Sequence, residues 1–195
     1  MKKETFEWIH SWCDYTEKND LPRVLLVGDS ICYGYQEKVR ELLKGVAYVD
    51  YLSTSYSIDN PLYVNLVKSF YNNSNYDILH FNHGLHGFHN SIVSYKSRVK
   101  KLLEKLDCKK TIVATSTICY TENNKKFDTK LKKYAEKRNV ALLEIAKDKG
   151  YAVTDLWNAS LSVPVELRRE DGLHYTEEGS SILAKYVAEK IKEQL

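Results

Sequence analysis

The sequence lacks any apolar run long enough to cross a membrane as a helix. No stretch approaches the roughly 20 consecutive apolar residues that such a helix needs. The first residues include Lys2, Lys3, Glu4 and Glu7, and they lack the apolar core of a signal peptide. We therefore expect a cytoplasmic protein with no membrane as its partner.

Paired cysteines are also missing. The four cysteines show no regular spacing: Cys13, Cys32, Cys108 and Cys119. We interpret them as reduced thiols, in keeping with a cytosolic protein. Cys32 follows a serine of interest by two residues, and we interpret it as a small buried side chain rather than a nucleophile.

Charge of one sign is not in excess. The 29 Lys and Arg residues against 26 Asp and Glu give a net charge of +3, which is too small to argue for nucleic acid as a partner. Internal repeats and linker-like stretches are absent as well. At 195 residues the chain is expected to form a single domain spanning 1–195.

The most informative stretch that is present begins with four apolar residues, 24–27, and runs into Gly28-Asp29-Ser30. The apolar run predicts a buried parallel strand. Ser30 would then lie at the carboxyl end of a strand and near a helix N-terminus, where open α/β sheets bind ligands. It is either a candidate nucleophile or a cap of the next helix.

The rest of the chain alternates predicted strands with predicted helices. We predict further strands over 46–52, 77–82, 111–117 and 151–156. This pattern favours an α/β protein, with a five-stranded parallel sheet between two helical layers. The expected strand order is 2-1-3-4-5, which is flavodoxin-like.

Three segments outside the strands carry predictions of their own. Apolar residues at helical spacing predict a helix over about 4–18 that packs on the domain. Residues 121–124 and 157–171 are predicted to be loops, and about 125–149 a long basic helix that ends at Gly150.

Near the end of the chain, Asp171-Gly172-Leu173-His174 precedes the last predicted helix. Together with Gly-Asp-Ser after the first strand, this block resembles the SGNH, or GDSL, hydrolase family. The resemblance implies a three-layer α/β/α fold and a serine hydrolase. It assigns Ser30 as nucleophile, His174 as general base and Asp171 as the residue that orients the histidine.

The family's oxyanion-hole blocks are altered here. The nucleophile's own N–H, from Ser30, is retained as a donor. No glycine occurs between Gly45 and Gly84, so a main-chain N–H within 55–57, with Ser57 as our choice, would replace the family's loop glycine. In the third block, Gly84 aligned with the family glycine puts His86 in place of the asparagine. Asn82 is the alternative donor.

Histidines also recur every three residues, at positions 80, 83, 86 and 89. The run crosses from strand to loop, where side chains at this spacing do not converge on one face. We therefore expect no metal and no other cofactor. Four residues near the expected carboxyl edge are candidates for binding substrate: Asp29, Tyr56, His83 and Trp157.

The resulting hypothesis is a serine esterase that removes a small acyl group, with acetyl on a carbohydrate as one candidate. Its partner would be a small-molecule ester, for which an acylated sugar is one choice. Two alternatives remain open: an acyltransferase with the same triad, and a non-catalytic carbohydrate-binding member of the fold.

Overall fold

A mixed sheet of six strands forms the centre of the protein. The structure is a computed structural model, which describes residues 3–121 and 126–195. The sheet order is β1-β3-β2-β4-β5-β6, with β1 antiparallel to β3 and every other pair parallel. The strands are β1 Ile9–Trp12, β2 Arg23–Gly28, β3 Tyr48–Thr54, β4 Ile78–Phe81, β5 Lys110–Ala114 and β6 Ala152–Thr154.

Helices cover both faces of the sheet. They are α1 Ser30–Leu42, α2 Pro61–Asn72, α3 Ile92–Leu106, α4 Thr129–Lys149, α5 Leu156–Leu161 and α6 Glu177–Lys192, with a 3₁₀ turn at Val165–Leu167. Polar side chains cap the first turns, as Asn60 does for α2 and Ser91 for α3. None of the helices in the described ranges has the length and apolar character to span a bilayer.

Alternation along β2 divides the core in two. Val24 and Leu26 pack into the cluster formed with α1 and α6, whereas Leu25 and Val27 pack into the cluster formed with α2, α3 and α4. All four side chains are fully buried. Since successive strand residues point to opposite faces, an unbroken apolar run is what a central strand covered on both sides requires.

The predicted five-stranded parallel sheet in the order 2-1-3-4-5 is wrong, because it omits β1 and the antiparallel pairing. The helix predicted over about 4–18 is likewise replaced by β1 in that segment. A short amphipathic helix is marginal without a packed face, and all four residues of β1 are exposed. The outer edge of β3 instead pairs with β1, from Ile9 opposite Thr54 to Trp12 opposite Tyr51.

Two other segments differ from the sequence prediction. The loop predicted over 157–171 contains most of α5 and the 3₁₀ turn. The helix predicted from about 125 begins at Thr129, where Asp128 accepts hydrogen bonds from the first-turn N–H groups. Residues 122–125, predicted as the end of a loop and the start of that helix, lie outside the described residues.

A buried ion pair anchors the connection between β1 and β2. Arg23 Nη1 lies 2.9 Å from Asp50 Oδ1, and the same guanidinium donates to the carbonyls of Asp14 and Tyr15. Asp50 also accepts from the Tyr76 hydroxyl at 2.7 Å. The pair therefore ties the segment after β1 to the two neighbouring strands.

Asp50→Ala is expected to destabilise the fold by about 3–5 kcal/mol, because it leaves the Arg23 guanidinium buried without its counter-charge. Urea unfolding of the variant measures this loss. Glu41→Ala is a matched control, since it breaks the solvent-exposed Lys38–Glu41 pair and should cost less than about 1 kcal/mol. Equal losses in the two variants would contradict the assigned role of the buried pair.

Candidate active site

Ser30 lies directly after β2, at the first position of α1. The change from strand to helix occurs within Gly28 and Asp29. A Cβ on Gly28 would lie 2.3 Å from Cys32 Cβ, so only glycine allows α1 to begin this close to the strand. Asp29 is buried and caps α1 by accepting from Ile31 N at 3.0 Å. These contacts fix the position of the Ser30 backbone.

A tight turn before α6 carries Asp171 and His174. Asp171 Oδ1 accepts from Leu173 N at 2.8 Å and from His174 N at 2.9 Å. Gly172 has φ +72°, and a Cβ there would lie 2.2 Å from the Tyr120 carbonyl oxygen. The turn therefore requires glycine, and it holds the carboxylate against the histidine that follows.

One chain of hydrogen bonds links the three side chains. His174 Nδ1 lies 2.7 Å from Asp171 Oδ2, and His174 Nε2 lies 2.8 Å from Ser30 Oγ. An ionised carboxylate can only accept, so Nδ1 carries the proton of a neutral ring. The Nε2 lone pair then accepts from the Ser30 hydroxyl, which is the arrangement that a general base needs.

The environment of Asp171 keeps its carboxyl ionised. Burial alone would raise the pKa of Asp171, but hydrogen bonds outweigh it and lower the pKa below its ordinary value. These bonds come from the His174 backbone and imidazole and from Leu173 N–H. At neutral pH the carboxylate is thus charged and able to stabilise a cation on His174.

A cavity of about 480 Å³ opens beside Ser30 and His174. Aromatic rings from β1, from the residue just before it and from α1 line this cavity. The His10 ring stacks on Tyr33 with centroids 4.3 Å apart, and Trp8 lies 5.2 Å from His10. The charged side chains of Glu37, Arg169 and Glu177 complete a wall that is polar as well as aromatic.

Sequence reasoning missed the contribution of Trp8 and His10. It placed them on a helix, although Trp8, His10 and Trp12 also alternate with a period of two. Tyr33 and Arg40, both on α1, contact His10 and Trp12 respectively. The period-two alternation was the signal that these side chains share one face of a strand.

The cavity lining includes Ser30 and His174. It does not include the oxyanion-donor candidates Ser57, Asn82 and His86, nor the four predicted substrate-binding residues. Asp29 is taken up in capping α1, and His83 is buried with Nε2 3.1 Å from the Tyr56 carbonyl oxygen. Tyr56 and Trp157 pack against the two apolar clusters. Their predicted contact with substrate therefore gains no support from this placement.

Main-chain donors after β3 differ in their availability. Ser55 N donates to the Trp8 carbonyl oxygen at 3.3 Å, and Tyr56 N donates to Thr54 Oγ1 at 3.2 Å. Ser57 N has no partner among the described residues. The Ser57 side chain is fixed by Asp59 at 2.5 Å and by Asn90 at 2.8 Å, so its N–H is held in place and available.

The two candidate side-chain donors after β4 have different surroundings. Asn82 uses its amide group on the carbonyls of Ala114 and Thr115, at 3.2 and 3.3 Å. It therefore braces the ends of β4 and β5. His86 instead bonds through Nδ1 to Glu4 Oε2 at 2.9 Å, which leaves its second ring nitrogen, Nε2, for another partner.

The four regularly spaced histidines do not meet at one point. His80 Nε2 lies 3.1 Å from Thr154 Oγ1, and His89 Nε2 lies 3.0 Å from Asp59 Oδ2. Burial lowers the pKa of His80 to about 3, so its ring is neutral in the core. Within residues 3–121 and 126–195, no group of three or more His, Cys, Asp or Glu could hold a metal ion.

The fold resembles several solved hydrolases. A lipase/acylhydrolase from Enterococcus faecalis matches with a TM-score of 0.70 and 16% identity, covering 90% of this chain and 97% of its own. An acetylxylan esterase from Geobacillus stearothermophilus matches with a TM-score of 0.72 and 16% identity, covering 87% and 94%. A GDSL-like lipase from Bacteroides thetaiotaomicron matches with a TM-score of 0.68 and 13% identity, and the match covers 89% of each chain.

Sequence comparison gives the family. No curated protein matches the chain significantly. The model of the family described as GDSL-like Lipase/Acylhydrolase matches residues 83–187, more than half of the chain. That stretch includes His86, Asp171 and His174 and begins after Ser30. The match confirms the resemblance seen in the sequence: the chain belongs to the GDSL-like lipase/acylhydrolase family and is a hydrolase of the esterase class.

Proposed function

We propose that the protein is a serine esterase in which Ser30, His174 and Asp171 form the catalytic triad. The observation that carries the proposal is the unbroken chain of hydrogen bonds from Ser30 Oγ to His174 and on to Asp171, at 2.8 and 2.7 Å. A non-catalytic binding protein would have no need of this alignment beside an open cavity.

In the first half-reaction, Ser30 Oγ attacks the ester carbonyl carbon while its proton passes to His174 Nε2. The C=O π electrons move to oxygen and form a tetrahedral oxyanion. When this intermediate collapses, the bond to the alcohol oxygen breaks and His174 returns the proton to that oxygen. Asp171 stabilises the transient imidazolium. Water, activated by His174 in the same way, then releases the acyl group from Ser30.

The oxyanion needs donors aimed at it, usually the largest electrostatic contribution to acyl transfer. We assign two to the backbone N–H groups of Ser30 and Ser57, neither of which has a partner among the described residues. The third is His86 rather than Asn82. The geometry supports this choice, because the Asn82 amide is engaged with the carbonyls of Ala114 and Thr115 while His86 retains a ring nitrogen.

We assign a short acyl group, such as acetyl, on a sugar as the substrate. The cavity of about 480 Å³ suits a small ester, and the aromatic side chains of Trp8, His10 and Tyr33 in its lining are of the kind that packs against a sugar ring. One structural neighbour is an acetylxylan esterase, which is in keeping with this choice.

Ser30→Ala and His174→Ala should each lower ester turnover by about 10⁴-fold or more, because the two residues act as a unit. Asp171→Asn should cost less, since Asp171 orients the base and does not itself transfer the proton. Steady-state hydrolysis of p-nitrophenyl acetate measures all three losses. Ser181→Ala is the control, because within the part of the chain that the structure describes its hydroxyl bonds only the Glu177 carbonyl oxygen on α6. Near-normal turnover by Ser30→Ala would refute the mechanism.

Acetyl esters should be hydrolysed more efficiently than decanoyl esters. The sequence offers no apolar insertion that could cover a long acyl chain, so added methylenes would remain in water. The comparison uses kcat/KM for p-nitrophenyl acetate and decanoate, which share a leaving group and therefore report on the acyl pocket alone. A higher value for decanoate would contradict the assigned acyl size.

His86→Ala should lower kcat by about 10²–10³-fold with little change in KM, as expected for loss of one oxyanion donor. Asn82→Ala should instead lower the thermal midpoint of unfolding, because it leaves the Ala114 and Thr115 carbonyls without this donor, and should affect kcat less. The reverse pattern would identify Asn82 as the donor. If kcat falls by less than tenfold in both variants, the oxyanion hole consists of backbone N–H groups alone.

A further inference from the structure

Glu4, in the segment before β1, holds the loop that carries His86. Its Oε2 lies 2.9 Å from His86 Nδ1, and its Oε1 accepts from Gly87 N at 3.2 Å. The two oxygens thus bind a side chain and a backbone group of adjacent residues. More than 80 positions along the sequence separate Glu4 from this loop, so local structure cannot account for the contact.

The loop is also fixed from its other side. Arg138 of α4 donates through Nη1 to the His86 carbonyl oxygen at 2.5 Å and through Nη2 to the Gly87 carbonyl oxygen at 2.8 Å. The guanidinium lies between the rings of Tyr95 and Tyr134, at 4.3 and 4.4 Å from their centroids. The backbone of His86 is therefore held while its ring is bound by Glu4.

The bond to Glu4 decides which protons the His86 ring carries. A carboxylate only accepts, so Nδ1 must be protonated. In a neutral ring Nε2 would then be an acceptor, which would repel an oxyanion. Only the imidazolium, with a proton on each nitrogen, keeps the bond to Glu4 and donates from Nε2 as well.

The charges around His86 favour the imidazolium. Burial alone would lower the pKa of His86, but the hydrogen bond to Glu4 and the negative charges of Asp29 and Glu4 raise it above its ordinary value, against the opposing charge of Arg138. His83, in the same loop, adds no positive charge at neutral pH, because burial and Arg138 lower its pKa to about 4.

His86 Nε2 remains open to a ligand. This nitrogen has no hydrogen-bond partner among the described residues. Since it is absent from the fully buried polar atoms that lack a partner, it retains some exposure to solvent. The ring packs edge-on against Trp8, with centroids 6.3 Å apart, and Trp8 lines the cavity that contains Ser30. β2 and β4 are paired neighbours, so the loops that follow them lie side by side.

We propose that Glu4 is a positioning residue for the oxyanion hole, holding His86 as an imidazolium that donates Nε2–H to the tetrahedral intermediate. This role rests on the proposed esterase function. Where the family resemblance places a neutral asparagine amide, this chain would supply a full positive charge. Glu4 supplies the carboxylate that offsets this charge in the free enzyme.

Glu4→Gln is the variant that tests this role, because glutamine can still accept from Nδ1 but removes the charge. We expect kcat to fall by about tenfold or more, a fraction of the 10²–10³ that a lost donor costs, with KM changed less than about threefold. The raised pKa means that the imidazolium is lost as pH rises, so wild-type kcat should fall on the alkaline side. In Glu4→Gln that fall should move to lower pH.

Two further variants test whether the effect of Glu4→Gln acts through His86. In His86→Ala, adding Glu4→Gln should lower kcat no further, since the ring on which Glu4 acts is gone; independent losses would overturn the proposal. Glu7→Gln removes the same charge from the same segment, has no hydrogen bond to His86 among the described residues, and should leave kcat and its pH profile unchanged. If Glu7→Gln lowers kcat as much as Glu4→Gln does, the effect comes from the negative charge of the segment and not from the bond between Glu4 and His86, and the proposal is overturned.

A spectroscopic measurement tests the proposal even if Glu4→Gln folds poorly. Imidazole ¹⁵N shifts of the wild-type protein, with His86 assigned by its absence in His86→Ala, should show both ring nitrogens protonated at neutral pH. A neutral His86 ring would overturn the proposal. If Ser30→Ala abolishes turnover while Glu4→Gln leaves kcat and its pH profile unchanged, the positioning role of Glu4 is refuted but the esterase mechanism is retained. If Ser30→Ala stays active, the proposed function itself fails.

Discussion

The parallel pairing of β2 with both β3 and β4 is the constraint on which the site depends. Because the three strands run in one direction, their carboxyl ends meet at the same edge of the sheet. The nucleophile candidate follows β2, an available backbone N–H follows β3, and the loop with His86 follows β4. The turn before α6 then needs only to bring His174 to Ser30, and α6 achieves this by packing against α1.

The segment before β2 adds side chains to the site that forms at this edge of the sheet. By pairing with the edge of β3, β1 carries Trp8 and His10 to the cavity, and the residues before β1 carry Glu4 to the His86 loop. The segment that contains β1 and the residues before it thus contacts two parts of the candidate site, the aromatic wall of the cavity and the loop that carries His86. Under the proposed function, substitutions in this segment would act on the cavity wall and on the loop with His86 while leaving strands β2 to β6 unchanged.

Local motifs explain why part of the site could be predicted from the sequence. Gly28-Asp29-Ser30 follows an apolar run, and Asp171 lies three residues before His174, so both blocks can be recognised without tertiary contacts. The alternation of Trp8, His10 and Trp12 indicates a strand but not its partner, because β1 is short and exposed and its position is set by pairing with the edge of β3. Nothing in the sequence connects Glu4 with the loop that carries His86. The sequence likewise could not decide between Asn82 and His86 as the oxyanion donor. That choice rests on the tertiary contacts that occupy the Asn82 amide and leave one ring nitrogen of His86 without a partner among the described residues.

Acylation of Ser30 during turnover is the step on which the proposed mechanism depends. Its most direct test is rapid acid quenching of the protein with p-nitrophenyl acetate, followed by mass spectrometry of its peptides, with Ser30→Ala treated identically. We expect an acetyl group at Ser30 in the wild-type peptide and none in the corresponding peptide of the variant. Acetylation at another residue that persists in Ser30→Ala, with turnover retained, would contradict the proposed mechanism.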